Sequence, residues 1–177
     1  METVFNISVF TENSIGILNR ITIIFTRRHL NIESITASES EVKGVYRYTI
    51  VVKTDLEQVK KVVAQIEKQV EVLKAFFHTD EQVVHQEIAL YKIATESFVN
   101  GSTERIVRDH HARILTVDKE FTIIEKTGQP EELQELFNEL DQYGVLEFVR
   151  SGRVAISKPM KTLEEHLEDM NNEKIIL

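Results

Sequence analysis

Two hydrophobic periodicities alternate along the first 78 residues, and their order restricts the possible folds. Phe5, Ile7 and Val9 are separated by polar residues, which predicts a strand with one buried face. A helix is expected next, from about Ser14 to Arg28, because apolar residues recur there at steps of three and four. Its apolar stripe consists of Ile17, Leu18, Ile21, Ile24 and Phe25.

The following pattern predicts a hairpin, a second helix and a further strand. The hairpin joins residues 31–38 to residues 46–52 around Gly44. Asp55 has a side chain typical of a helix cap, and the strand after this helix is expected over residues 70–77. The apolar stripe of the second helix consists of Leu56, Val59, Val63, Ile66 and Val70.

The resulting order, βαββαβ, is that of ferredoxin-like folds, and the second half of the chain repeats it. We therefore predict the α+β class, with two tandem ferredoxin-like βαββαβ units. The predicted elements of the second half are a strand over 87–94, a helix over 102–109, a hairpin of strands 113–117 and 121–125, a helix from near Pro130 to Gly144, and strands 145–149 and 153–156. The apolar residues on one face of the last helix are Leu133, Leu136, Phe137 and Leu140.

These patterns also predict the domain organisation. Each unit has about 75 residues, near the lower limit for a stable single core, and its sheet has one face without helices. We therefore expect an oligomer. The predicted division is an N-terminal domain over residues 1–78, a linker over 79–85, a C-terminal domain over 86–160 and an acidic tail over 161–177. The tail is interpreted as a surface segment, with a partner contact as the alternative.

The formal net charge of −8 is unevenly distributed. Residues 1–78 carry nine acids and ten bases, residues 79–160 carry fifteen and nine, and residues 161–177 carry five and two. Nucleic acid is not expected as a partner, because binding a polyanion requires clustered Lys and Arg.

Composition excludes further classes of protein. The chain has no cysteine, which rules out disulfides and thiolate chemistry and is typical of a reducing compartment. Its apolar runs are far shorter than the roughly 20 residues of a spanning helix, and the N-terminus lacks the basic start and apolar block of a signal peptide. We expect a cytoplasmic protein with no membrane partner.

Catalytic and metal-binding motifs are missing from the sequence. It contains no GxGxxG, P-loop, HExxH or GxSxG pattern, and its six histidines form no helical pair with another ligand type. We therefore predict no catalytic residues and no metal site.

The segment TENSIGILNR, where the first strand leads into the first helix, is the strongest candidate for binding. The first N–H groups of a helix have no intrahelical partners and attract anions. Gly16 leaves the backbone accessible to a ligand, and Asn13 offers both a donor and an acceptor. The alternative is purely structural: Asn13 and Ser14 cap the helix, and Gly16 eases its packing.

Residues 11–36, TENSIGILNRITIIFTRRHLNIESIT, resemble the signature of the ACT domain, and more closely that of the small regulatory subunit of acetohydroxyacid (acetolactate) synthase. The Glu-Asn-x-x-Gly-x-Leu-x-Arg segment and the Asn-Ile-Glu-Ser segment both match. The second half resembles that family's C-terminal domain, which ends here in EFVRSGRVAI over residues 147–156.

This resemblance implies a non-catalytic regulatory subunit in branched-chain amino-acid biosynthesis. Such a subunit binds and activates a thiamine-diphosphate-dependent catalytic (large) subunit and confers feedback inhibition by valine or a related branched-chain amino acid. Two ACT domains are expected to form a homodimer with the amino acid at their interface. No cofactor is expected in this chain. Thiamine diphosphate, Mg²⁺ and, as a further candidate, FAD are expected in the catalytic partner.

The resemblance also implies the effector contacts. Asn13 and Asn31 would hold the polar end of the amino acid. Backbone N–H groups of Ile15, Gly16 and Ile17 would receive its carboxylate, and the side chains of Ile17 and Leu18 would line the pocket.

Two positions depart from the family pattern. His29 occupies a position where glycine is common, and histidine tolerates left-handed backbone better than most residues. Ile17 is bulkier than the residue often found at its position, which favours a change in ligand preference. The alternatives to the regulatory subunit are a free-standing ACT-type amino-acid sensor and a small ferredoxin-like enzyme.

Overall fold

The computed structural model describes residues 2–99 and 102–158. The described residues divide into an N-terminal unit, 2–84 with 153–158, and a C-terminal unit, 85–152. The elements in chain order are β1 (Thr3–Glu12), α1 (Ile17–Arg27), β2 (Ser34–Glu39), β3 (Val45–Thr54), α2 (Leu56–Ile66), β4 (Val72–Thr79), a 3₁₀-helix (Asp80–Gln82), β5 (Val83–Ala94), α3 (Thr95–Val99), α4 (Ser102–Asp109), β6 (Arg113–Val117), β7 (Phe121–Gly128), α5 (Pro130–Asp141), β8 (Val145–Arg150) and β9 (Val154–Ser157).

Each unit contains an antiparallel sheet with the strand order of a βαββαβ fold. The order is β2-β3-β1-β4 in the N-terminal unit and β6-β7-β5-β8 in the C-terminal unit. Strand β9 also pairs with β5, which begins in the N-terminal unit and continues into the C-terminal one. The predicted fold class is therefore confirmed.

The core of the N-terminal unit lies between α1, α2 and one face of the sheet. Ile7 and Ile50, which are paired across β1 and β3, are fully buried there beside Ile21 of α1 and Ile66 of α2. The predicted stripes were wrong at Leu18, Leu56 and Val70, which are exposed. Val70 lies in the turn after α2 has ended, where helical spacing no longer applies.

The two helices of this unit begin differently. Asp55 caps α2 as predicted, its Oδ1 accepting from the Gln58 N–H at 2.8 Å. The predicted start of α1 near Ser14 was wrong, because the cap position is Gly16 and, among the described residues, no side chain caps this helix. The Ser14 carbonyl instead accepts from the Ile17 N–H at 3.3 Å and closes a turn before α1.

The C-terminal unit has its own core. Tyr91 and Ile93 of β5 and Ile124 of β7 are fully buried with Leu133, Leu136 and Leu140 of α5. The predicted helix start is confirmed: Pro130 is at the first turn, and Gln129 and Glu132 form a capping box.

The boundary between the two units falls between Val84 and His85, within the predicted linker 79–85. This linker is structured, since Thr79 and Gln82 form a capping box around a 3₁₀-helix and β5 follows at once. The predicted C-terminal domain differs at its end. Residues 153–158 group by their contacts with the N-terminal unit. The predicted tail, 161–177, lies outside the described residues.

In the part of the chain that the structure describes, no helix is long and apolar enough to cross a membrane.

Candidate functional site

The loop between β1 and α1 is a tight turn fixed by three backbone hydrogen bonds. The Glu12 N–H donates to the Glu71 carbonyl at 2.9 Å, the Ser14 N–H to the Glu12 carbonyl at 3.0 Å, and the Ile17 N–H to the Ser14 carbonyl at 3.3 Å. Gly16 adopts φ +86°, a conformation that glycine adopts without strain. The loop therefore has one defined shape before α1 begins.

Several N–H groups of this loop have no protein acceptor. Among the residues described, none accepts a hydrogen bond from the N–H of Ile15, Gly16 or Leu18. They lie at the positive end of the α1 dipole, so together they can hold a carboxylate. The family resemblance implies the Ile17 N–H as a further carboxylate donor, but this group donates to the Ser14 carbonyl in the structure.

The side chains predicted to contact a ligand divide into exposed and buried ones. Asn13, Ile15 and Leu18 are exposed, and Ile15 is completely so. Ile17 is 2% exposed and belongs to the core, one helical turn before Ile21. The expectation that the Ile17 side chain lines the pocket therefore does not hold in this structure.

Asn31 is presented outward by its two neighbours. Leu30 and Ile32 are half-buried against the core, whereas Asn31 is exposed and its Nδ2 lies 3.3 Å from Glu33 Oε1. His29, just after α1, adopts φ 54°, which agrees with the expectation that histidine replaces a left-handed glycine. The carbonyl of Phe25 accepts from the N–H of Leu30 at 3.0 Å and closes the end of the helix.

Asn13 and Asn31 of one chain are not brought together. Asn13 precedes α1 and Asn31 follows it, and the eleven residues of this helix rise about 16 Å. The sheet gives a similar separation. Ser34, three residues after Asn31, pairs with Val51, and Val51 pairs with Asn6 on its other side. From Asn6 to Glu12, the residue before Asn13, β1 advances six residues, or about 20 Å. These two side chains therefore lie at opposite ends of one domain.

Metal coordination has no support in the same part of the chain. Within residues 2–99 and 102–158, no group of three His, Asp or Glu side chains is arranged to hold a metal ion. The site is built from backbone N–H groups, amides and exposed aliphatic side chains.

Both halves of the chain match models of one protein family. A model described as "AHAS small subunit-like ACT domain" matches residues 7–74, and one described as "Small subunit of acetolactate synthase" matches residues 86–159. The chain is 35% identical over 156 residues to the acetolactate synthase small subunit of Bacillus subtilis, covering 86% of this chain and 89% of the relative. The chain belongs to the acetolactate synthase small-subunit family.

Other acetolactate synthase small subunits support this assignment. The probable small subunit of Archaeoglobus fulgidus is 34% identical over 155 residues, covering 88% of this chain and 97% of that protein. The crystal structure of the small subunit from Thermotoga maritima superposes with a TM-score of 0.78 at 33% identity, covering 88% of this chain and 97% of that one. The family resemblance deduced from sequence is thus confirmed.

Proposed function

We propose that this protein is the regulatory subunit of an acetolactate synthase. It binds the catalytic large subunit, raises its activity and makes it sensitive to valine or a related branched-chain amino acid. Thiamine diphosphate, Mg²⁺ and, as a further candidate, FAD belong to the catalytic partner in this proposal, and the chain itself is non-catalytic. The family match over both halves supports the association with acetolactate synthase.

The separation of Asn13 from Asn31 is the observation that supports the effector site most directly. A branched-chain amino acid is far shorter than the roughly 16 Å rise of α1, so one chain cannot place both amides on it. Two copies related by a twofold axis can, because each supplies the end of the helix that the other lacks. We therefore place the effector at an interface between two N-terminal units.

In this site the loop of one copy binds the carboxylate through the N–H groups of Ile15, Gly16 and Leu18. Asn13 of the same copy and Asn31 of the other bind its polar end. Leu18 and Ile15 are the exposed aliphatic side chains nearest in sequence to these donors, and they provide the apolar contact for a branched side chain. Ile17 supports the loop from the core.

Regulation then follows from linkage. An amino acid bound by two copies favours the dimer arrangement in which their helix ends face each other. If its binding free energy differs by about 1–3 kcal/mol between this arrangement and the activating one, the equilibrium between them shifts about 5- to 150-fold, and the activity changes with it.

Calorimetry and reconstitution test this proposal together. Valine, leucine and isoleucine are titrated into the full chain, and the chain is then combined with the catalytic subunit of the same organism for activity assays. We expect binding of at least one of the three, together with activation and inhibition by that amino acid. Co-purification without activation contradicts the regulatory role, and binding without co-purification favours the free-standing sensor.

A further inference from the structure

Glu71 contacts both ends of the Asn13–Gly16 loop. Its backbone carbonyl accepts from the N–H of Glu12, the last residue of β1, at 2.9 Å. Its side-chain Oε1 lies 2.6 Å from Nη2 of Arg20, in the first turn of α1. One residue, placed in the turn between α2 and β4, thus connects the strand before the loop with the helix after it.

The ion pair between Arg20 and Glu71 is partly exposed and lies beside the loop, outside the hydrophobic core. The two side chains are 39% and 25% exposed, and a pair at this depth contributes modestly to global stability. Arg20 Nε is buried and has no hydrogen-bond partner among the described residues. The Arg20 N–H donates to the Gly16 carbonyl at 3.1 Å, so the same residue also contacts the loop directly.

We propose that Arg20 and Glu71 are positioning residues that hold the effector loop in the shape that binds a carboxylate. This inference rests on the proposed function for the identity of the effector. The carboxylate of Glu71 fixes the start of α1 through Arg20, and its backbone fixes the end of β1. Rotation of α1 relative to β1 would change the directions of the Ile15, Gly16 and Leu18 N–H groups, and the ion pair opposes that rotation.

Glu71→Gln separates the two contacts. The substitution keeps the backbone hydrogen bond to Glu12 and the length of the side chain, but it removes the charge that pairs with Arg20. A matched control is Glu67→Gln, because Glu67 forms the similarly exposed pair with Lys74 at 3.5 Å, which does not involve the loop.

The first measurement is hydrogen exchange of the full chain without ligand, followed on peptides that cover residues 11–18. Within these peptides the N–H groups of Glu12, Ser14 and Ile17 are hydrogen-bonded. We expect these three amides to exchange about three- to tenfold faster in Glu71→Gln and at the wild-type rate in Glu67→Gln, as for loss of one charge-assisted hydrogen bond. Unchanged loop exchange in Glu71→Gln overturns the proposal.

The second measurement is valine affinity by calorimetry. We expect about three- to tenfold weaker binding in Glu71→Gln and in Arg20→Glu, with recovery in the double variant Arg20→Glu, Glu71→Arg, which restores an opposite-charge pair. A loop that exchanges faster but binds valine with wild-type affinity contradicts the positioning role. If wild-type protein binds none of the three amino acids, the proposed effector is wrong, and the exchange comparison still decides whether the pair holds the loop.

Discussion

Arg153 Nη1 lies 2.8 Å from Asp80 Oδ1 and 3.1 Å from Asn6 Oδ1. Asn6 is on β1, Asp80 precedes the point where the chain leaves the N-terminal unit, and Arg153 is the first residue after its return. The Asn6 amide also donates to Asp80 Oδ1 at 2.6 Å, so all three side chains share one carboxylate oxygen. The segment through which the chain leaves the N-terminal unit and the segment through which it returns are thereby both hydrogen-bonded to β1.

A second contact fixes the returning segment farther along. Arg47 Nη2 on β3 donates to the Ala155 carbonyl at 2.6 Å, and burial lowers the pKa of the Arg47 guanidinium from its usual value. Ala155 is itself buried. Residues 153–158 are therefore an integral part of the N-terminal unit.

We predict that Arg153→Met destabilises the N-terminal unit by about 1–3 kcal/mol, because it leaves Asn6 and Asp80 without their charged donor. Urea denaturation of the full chain measures this change. The control is Arg105→Met, which removes an exposed partner 3.9 Å from Asp109 and should change stability by less than about 0.5 kcal/mol. Equal effects of the two substitutions would contradict a structural role for Arg153.

Gly16→Asp should abolish valine inhibition while the catalytic subunit is still activated. A Cβ at Gly16 meets no atom of the described residues within 4 Å, and aspartate tolerates the left-handed conformation at a cost of about 1–2 kcal/mol. The new carboxylate then competes for the N–H groups that would bind the effector. Activity of the reconstituted complex is measured with and without valine.

Gly44→Asp is the matched control for this substitution. Gly44 has φ +81° and equally open surroundings, but it lies in the turn between β2 and β3. It should keep both activation and inhibition. Loss of activation in Gly16→Asp alone would show that the loop has a structural or partner-binding role instead.

Mixing Gly16→Asp with Asn31→Ala should restore part of the valine binding that each variant lacks alone. In a twofold dimer each site takes the loop from one copy and Asn31 from the other, so the mixed dimer contains one intact site and one doubly altered site. Calorimetry after co-refolding measures the recovered binding. Absence of recovery, with mixed dimers shown to form, would place both residues in a site within one chain.

Tyr91 gives the C-terminal unit a specific dependence on alkaline pH. Its hydroxyl donates to the Leu133 carbonyl at 2.7 Å, and burial raises its pKa from 10.0 to about 12, against a smaller opposing effect of Arg150. Between these values the unfolded chain has lost a proton that the folded chain retains. The stabilising contribution is therefore complete below pH 10 and is lost as the pH rises towards 12.

We predict that Tyr91→Phe lowers stability by about 1 kcal/mol at neutral pH, because one buried hydrogen bond is lost. Above pH 10 the difference from wild type should shrink, by at most about 1.4 kcal/mol per pH unit. Urea denaturation of both proteins at several alkaline pH values tests this. A difference that stays constant with pH would contradict the burial of the phenol.

Local chemistry explains the features that sequence predicted correctly. The bounds of α4 and β6, the Asp55 cap, the helix start near Pro130 and the left-handed His29 depend on residues a few positions apart. Hydrophobic periodicity and turn preference act over the same short range, so they can be recognised in the sequence before the fold is known. The loop before α1 was found for the same reason, through its glycine and its position between a strand and a helix.

Sequence by itself thus determined the two βαββαβ units, the family and the location of the candidate loop. Only the tertiary structure placed Ile17 in the core, separated Asn13 from Asn31 along α1, and joined the ends of the loop through Glu71. It also joined Arg20 to Glu71 and Arg153 to Asp80, pairs that are 51 and 73 positions apart in the chain. Such pairings depend on how helices and strands pack in space, and a charge carries no periodic signal that identifies its distant partner.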